Sequence, residues 1–186
     1  DFHSNRFSVM VWASIAYGVK TDLLVIPLAR WHMPLVAKHR AMYPNADPVP
    51  PWRWILAETL DAKKYADLII DGPIKEYTER FKQVLVEDNS KVHMANICKE
   101  HCSHHGIRSI DHPPCSLDLN PIENIWSILK TRISQQPRQA KTPAELAEAA
   151  VEAWNSIPIN HINACIKSME RCVKGVLTKQ GGPLKY

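Results

Sequence analysis

Hydrophobic positions near the N-terminus follow the two-residue repeat of β-strands. β-Branched and aromatic residues fill two short runs, 7–17 and 21–26, and Gly18 lies in the link between them. Runs joined by a short glycine-containing link predict an antiparallel hairpin. Residues 28–57 contain five prolines and follow neither the strand nor the helix repeat. This segment is therefore predicted to be an irregular insertion.

Beyond this insertion the repeat changes to the spacing of helices. Apolar side chains at helical spacing predict a helix over 61–81, with an interruption at Gly72 and Pro73. The remaining predicted elements are a buried strand over 84–88, a helix over 93–105, a short strand over 107–110, a helix from Asn120, and C-terminal helices within 142–186 that start at Thr142 and near Asn160. This order of hairpin, helix, strand, helix, strand and helices predicts an α/β fold in one domain of 186 residues.

Two carboxylates, Asp88 and Glu123, stand where predicted elements end or begin. Asp88 ends the run of Val84–Val86, and Glu123 follows Asn120, a good helix N-cap, with Pro121 in the first helical position. Oxygen ligands that meet at one point would hold a hard cation such as Mg²⁺. An alternative stays open, in which Asp88 only ends the strand in a turn and Glu123 only caps the helix through the backbone N–H of Asn120.

The segments around these carboxylates resemble motifs of a known family. The string Ser-Leu-Asp-Leu-Asn-Pro-Ile-Glu-Asn-Ile-Trp at 116–126 is similar to the motif with the third catalytic carboxylate of mariner-type DDE transposases. The string Glu-Asp-Asn-Ser-Lys-Val-His at 87–93 resembles the motif of their second catalytic Asp. Thirty-four residues separate Asp88 from Glu123, which is the gap this family uses. The segment 9–18 and the C-terminal tail also resemble this family, especially its fungal members. The resemblance covers most of the chain and is weakest over about 28–60.

The resemblance implies a ribonuclease H-like fold, in which flanking helices cover a mixed sheet. It also implies phosphoryl transfer on DNA, in which water cleaves a strand and the freed 3′-hydroxyl attacks target DNA. Two divalent ions, Mg²⁺ or Mn²⁺, would flank the scissile phosphate, with Asp88 and Glu123 as catalytic residues and metal ligands. The implied partners are DNA, as transposon end and target. A homodimer is left open, and the implied location is the nucleus.

Further residues receive roles around the implied site. Those assigned supporting roles are Asn89, His93, Asp118 and Asn120. The net charge is +4, and residues 127–186 contain nine Lys or Arg against four Asp or Glu, which favours a polyanionic partner. The residues predicted to contact nucleic acid are Lys91, Lys130, Arg132 and Arg138.

Three features depart from the family pattern. Leu117 stands where the family usually has proline, and Lys91 stands where a small or apolar residue is usual. The family's first catalytic Asp lies on a strand well before the segment that starts at Val9, and only eight residues precede Val9 here. On the family pattern, we therefore expect this chain to lack the first catalytic strand and to be N-terminally incomplete relative to the family. We expect the 186-residue chain alone neither to cleave nor to join DNA.

Two other functions stay open. A decayed or domesticated transposase remnant would bind DNA or protein without catalysis. A small zinc-stabilised module would use the tract 98–105, in which Cys98 and Cys102 share one helix face and His101 and His105 share another. The odd number of cysteines, five, favours an intracellular reducing compartment. No apolar run is long enough to span a membrane, so no membrane partner is expected.

Overall fold

The computed structural model describes residues 2–3, 8–26, 60–110, 112–113, 116 and 119–179. In chain order the elements are β1 (Phe2–His3), β2 (Ser8–Trp12), β3 (Ile15–Ala16), β4 (Val19–Lys20), β5 (Leu24–Ile26), α1 (Ala62–Tyr65), a π-helical segment (Ala66–Ile74), α2 (Lys75–Phe81), β6 (Leu85–Val86), α3 (Asn96–His104), β7 (Ser109–Ile110), α4 (Pro121–Ser134), α5 (Pro143–Asn155) and α6 (Ile159–Thr178). The predicted irregular insertion, 28–57, lies outside the described residues.

The chain forms two compact units. The first comprises Asp1–Ala13, Asp22–Leu60 and Lys130–Ser156, and the second comprises Ser14–Thr21, Asp61–Leu129 and Ile157–Tyr186. No helix in the described part of the chain is long and apolar enough to cross a membrane.

The first unit contains an antiparallel sheet in the order β1-β2-β5, against which α5 packs. The predicted hairpin is confirmed, because β2 pairs with β5 and Val11 lies opposite Val25. Helix α5 begins as predicted, since the hydroxyl of Thr142 accepts a hydrogen bond from the backbone N–H of Glu145 at 3.2 Å. Trp154, on the last turn of this helix, is 0% exposed and is the largest fully buried side chain described.

The second unit contains the strand that ends before Asp88 and the start of the helix that carries Glu123. Its hairpin, β3 with β4, turns at Gly18, whose φ of +83° lies in the left-handed region that glycine favours. Gly18 also donates its N–H to Oδ1 of Asn163 on α6 at 2.7 Å. The predicted interruption at Gly72 and Pro73 is a kink, with φ −101° and ψ −108° at Gly72, and the helix continues through it as a π-helical segment.

Strands β6 and β7 form a parallel pair, with Leu85 opposite Ser109 and Val86 opposite Ile110. The prediction of a buried strand over 84–88 is wrong in its burial, because Val84 and Val86 are 37% and 42% exposed and Ile110 is 57% exposed. These strands are two residues long each, and in the described part of the chain they pair only with each other. The apolar composition therefore indicated that a strand forms here, but it did not indicate how far the strand is buried.

Candidate metal and nucleic-acid site

Asp88 follows β6 and is held by the turn after the strand. Its Oδ1 accepts a hydrogen bond from the backbone N–H of Ser90 at 3.0 Å, which is the turn that the sequence left open as an alternative. Nδ1 of His93 lies 2.7 Å from the same oxygen. Because both contacts use Oδ1, the carboxylate is oriented while Oδ2 accepts no hydrogen bond from the described residues.

His93 belongs to a contiguous group that sequence reasoning found only in part. Its ring packs against the ring of Tyr65 with centroids 4.6 Å apart, and the buried Tyr65 donates its O–H to the carboxylate of Glu87. Tyr65 and Glu87 were not predicted as site residues. The available signals were that a buried tyrosine hydroxyl needs a partner and that Glu87 precedes Asp88 directly.

Burial raises the pKa of Glu87, and this outweighs the opposing influence of His93 and of the hydrogen bond from Tyr65. A carboxyl whose pKa is higher in the folded state binds more protons when folded. Stability therefore falls as pH rises from the usual glutamate pKa of 4.5 to the raised value. We expect Glu87→Gln to remove this slope, measured by urea unfolding across that pH window. Glu76→Gln, at an exposed position on α2, is the control, and an unchanged slope in Glu87→Gln would contradict the assignment.

Asn89 ties the end of β6 to the chain that follows β7. Its Nδ2 donates to the carbonyl oxygen of His112 at 2.6 Å, and Nε2 of His112 lies 2.9 Å from the carbonyl oxygen of Ser116. The carboxyl ends of two parallel strands lie at one edge, which is where α/β folds bind ligands. The segment that leads to α4 therefore begins beside the turn that holds Asp88.

Glu123 lies in the first turn of α4, where the helix dipole favours a negative charge. The helix begins as predicted, because Oδ1 of the buried Asn120 accepts a hydrogen bond from the backbone N–H of Ile122 at 3.4 Å. The Glu123 carboxylate is half-buried and makes no hydrogen bond or ion pair with a described residue. The alternative in which Glu123 caps the N–H of Asn120 is therefore not realised.

The structure thus brings Asp88, Asn89 and His93 together at the end of β6 and places Glu123 on α4. That the carboxylates of Asp88 and Glu123 lie close together stays a prediction. Asp118 lies outside the described residues. Within the described ranges, the three ligand atoms that lie within 4.8 Å of one another belong to a different set, Asp67, Asp71 and His101.

The four cations predicted to contact nucleic acid differ in their surroundings. Lys91 and Lys130 are exposed and form no ion pair with a described residue. Arg132 donates to the carbonyl oxygen and the hydroxyl of Ser156 at 2.9 and 2.6 Å, and Arg138 lies 3.3 Å from Glu145. Of the four cations, the two lysines are the ones that no described side chain or carbonyl oxygen holds in place.

The cysteines of the tract 98–105 do not assemble a zinc site with the histidines. Cys98 is buried and donates its S–H to the carbonyl oxygens of Val92 and Ala62 at 3.1 and 3.5 Å. Burial raises the pKa of Cys102 to about 11, which disfavours the thiolate that zinc requires. The four cysteines described are all free thiols.

Comparison with known sequences identifies relatives of one kind. The family model described as DDE superfamily endonuclease matches residues 51–147. The chain is 32% identical over 129 residues to the transposable element Tc3 transposase of Caenorhabditis elegans, covering 68% of this chain and 38% of that protein. It is 30% identical over 103 residues to the transposable element Tcb1 transposase of Caenorhabditis briggsae, covering 55% of this chain and 37% of that protein. The chain therefore spans less than two-fifths of the length of these curated relatives.

Solved structures show the same fold. The Mos1 transposase catalytic domain, solved with raltegravir and Mg, superposes with a TM-score of 0.60 at 13% identity over 69% of this chain and 67% of that one. A crystal structure of the Mos1 mariner transposase catalytic domain superposes with a TM-score of 0.57 at 14% sequence identity, covering 69% of this chain and 66% of that one. The predicted ribonuclease H-like α/β fold is confirmed by this likeness. By sequence, the chain belongs to the DDE superfamily endonucleases and is related to transposases of the Tc1/Tc3 kind, and its fold agrees with this family.

Proposed function

We propose that this domain serves metal-dependent cleavage and joining of DNA strands, with Asp88 and Glu123 as ligands of divalent cations. The observation that supports this most directly is the state of the two carboxylates. Asp88 is oriented through Oδ1 alone, and Glu123 has no partner among the described residues. Two half-buried carboxylates that offer free oxygen atoms suit Mg²⁺ or Mn²⁺, which prefer oxygen ligands.

The neighbouring side chains position these ligands. His93 fixes the rotamer of Asp88 through the contact at 2.7 Å and is itself held by the ring of Tyr65. Asn89 anchors the turn, and Asn120 sets the start of the helix that carries Glu123. Asp118 is proposed to support the turn before this helix. When bound, a pair of divalent cations supplies activation of the attacking oxygen and stabilisation of the leaving oxygen.

The 186-residue chain contains two of the three carboxylates that the family motif calls for. We therefore propose that the chain on its own binds DNA without cutting it. Lys91, an exposed cation three residues after Asp88, favours a second function, a transposase remnant that binds DNA or protein without catalysis, because a cation there competes with a metal ion. For either function the proposed partners are transposon-end and target DNA, with the nucleus as the location and a homodimer as the assembly.

The deciding experiment is a DNA strand-cleavage assay with Mg²⁺ or Mn²⁺ on the product of the whole open reading frame that encodes this chain. Cleavage that depends on the metal and is lost in both Asp88→Asn and Glu123→Gln would support the enzyme. Metal-dependent cleavage that both variants retain would contradict it. A product that binds DNA but never cleaves it would favour the non-catalytic function.

DNA binding by the chain is expected to weaken steeply with salt, because each phosphate contact releases counterions. Removing Lys91 and Lys130 together should reduce the slope of log affinity against log salt by about 0.9 for each lysine that contacts a phosphate. Fluorescence anisotropy with a labelled duplex at several salt concentrations measures this slope. Lys174→Ala is the control, because that ammonium is paired with Glu170 at 2.6 Å. Binding that is insensitive to salt, or a slope that the double variant leaves unchanged, would refute the assignment.

A further inference from the structure

Two histidines and two aspartates converge where α3 packs on the π-helical segment. Oδ1 of Asp71 lies 2.8 Å from Nδ1 of His101 and 2.8 Å from Nε2 of His105. Asp67, one turn before Asp71, places a carboxylate oxygen within 4.8 Å of the ligand atoms of Asp71 and His101. These four residues, Asp67, Asp71, His101 and His105, are called the Asp/His cluster below.

We propose that the Asp/His cluster is a binding site for a transition-metal dication of the zinc class, which fastens α3 to the π-helical segment. The proposed cleavage function assigns no role to these residues, and the inference holds whether or not the chain cleaves DNA. It also differs from the cysteine-based module considered above, because no thiolate takes part.

The donor atoms suit such an ion. Imidazole nitrogen with carboxylate oxygen is a common ligand set for Zn²⁺, whereas Mg²⁺ prefers oxygen alone. Ligand bonds of about 2.0–2.2 Å place neighbouring donor atoms roughly 3 Å apart around the ion. Asp67, Asp71 and His101 meet this condition after small side-chain rotations, since their ligand atoms lie within 4.8 Å of one another. His105 joins them through Asp71, 2.8 Å from its Nε2. Histidines four residues apart on one helix face are a recurrent zinc-binding arrangement.

The backbone fixes the two histidines before any ion binds. His101 lies in the last turn of α3, and His105 follows the helix as its C-terminal cap. The chain turns at Gly106, whose φ is +62°, and the N–H of Ile107 donates to the carbonyl oxygen of Cys102 at 2.8 Å. This arrangement is a helix-ending turn in the left-handed conformation that glycine favours. The side chains of His101 and His105 are 27% and 15% exposed, so an ion from solvent can reach them.

The electrostatics of the Asp/His cluster also favour a cation. Asp71 and Asp67 place two carboxylates close together, and the present partner of Asp67 is the exposed ammonium of Lys63 at 2.7 Å. A dication at this place would offset both carboxylates and would compete with Lys63 for Asp67.

The test uses the tag-free 186-residue chain after treatment with a chelator. The starting variant is Asp88→Asn/Glu123→Gln, which removes the two carboxylates of the proposed cleavage site. Calorimetric titration with ZnCl₂ should show one ion bound per chain, and Co²⁺ should give the visible absorption of a nitrogen- and oxygen-ligated ion. Zinc at a hundredfold excess over its Kd should raise the melting temperature by roughly 5 °C or more.

Substitutions then assign the ligands. His101→Ala/His105→Ala is expected to weaken zinc binding by at least about tenfold and to abolish the shift in melting temperature. His161→Ala, which removes an exposed histidine of α6 outside the Asp/His cluster, should leave both unchanged. Lys63→Met should tighten zinc binding by removing the cation that competes for Asp67. Because this variant keeps every ligand, it still tests the proposal if the double alanine variant unfolds. Absence of zinc binding, or an affinity that neither the histidine nor the Lys63 substitution changes, would overturn the proposal.

Discussion

Glu123→Gln is expected to lower the rate of metal-dependent DNA cleavage by about a thousandfold or more, because it removes charge where two cations need it. Glutamine keeps the shape of the side chain and one oxygen, so α4 should still begin at Pro121. Asp88→Asn should have a similar effect, and it also weakens the contact with His93, whose Nδ1 lies 2.7 Å from Oδ1. Single-turnover cleavage of an end-labelled duplex with Mg²⁺, by the product of the whole open reading frame, measures both rates.

The matched control is Glu152→Gln, which makes the same chemical change at an exposed position of α5 and should retain the full rate. Mn²⁺ binding, followed by electron paramagnetic resonance, separates loss of the metal from loss of folding. Variants that still fold and still cleave at the normal rate would show that these carboxylates are not ligands. The 186-residue chain assayed alone should show no cleavage. Metal-dependent cleavage by that chain, lost in both variants, would mean that another of its residues supplies a third ligand.

Trp154→Ala is expected to destabilise the chain by about 3–5 kcal/mol, because it removes a large, fully buried side chain and leaves a cavity. Trp154 lies on α5, the helix that packs against β2, so the loss falls on the core of the first unit. For a chain of this size the melting temperature should fall by roughly 10 °C. Differential scanning calorimetry is the appropriate measurement, since a chain with two compact units does not guarantee a single two-state transition.

Leu177→Ala provides the comparison for Trp154→Ala, because Leu177 is 72% exposed near the end of α6. Surface truncations of this kind usually change stability by less than about 0.5 kcal/mol. Equal melting temperatures for the two variants would show that Trp154 does not contribute to the core as its burial indicates.

Local signals in the sequence predicted the elements well. The hydroxyl of Thr142 caps α5, and Asn120 with Pro121 begins α4, because capping depends on residues within one turn of each other. The strand–glycine–strand pattern likewise predicted the hairpin. Burial of β6 was not predictable, since an apolar residue such as Val86 shows what the chain can bury and not what lies over it.

Side-chain contacts between residues far apart in the chain could not be predicted from the sequence. Tyr65 and Glu87 are 22 residues apart, and Asp71 lies 30 and 34 residues from His101 and His105. These pairs meet because of the way the helices pack, and no periodic pattern records that packing. The zinc hypothesis placed His101 and His105 on one helix face, but the residues that face them are aspartates of the π-helical segment and not the cysteines of the same tract.

The parallel pair of β6 and β7 has a consequence for how the purified chain behaves in solution. Val86 of β6 and Ile110 of β7 are exposed, as is Val84 just before β6, and in the described part of the chain neither strand has a second neighbour. Such edges offer unpaired N–H and C=O groups that can template pairing with a second molecule. At high concentration the chain is therefore expected to self-associate through β6, the strand that precedes Asp88. Dilution and a solubilising fusion partner become practical conditions for any measurement at that residue.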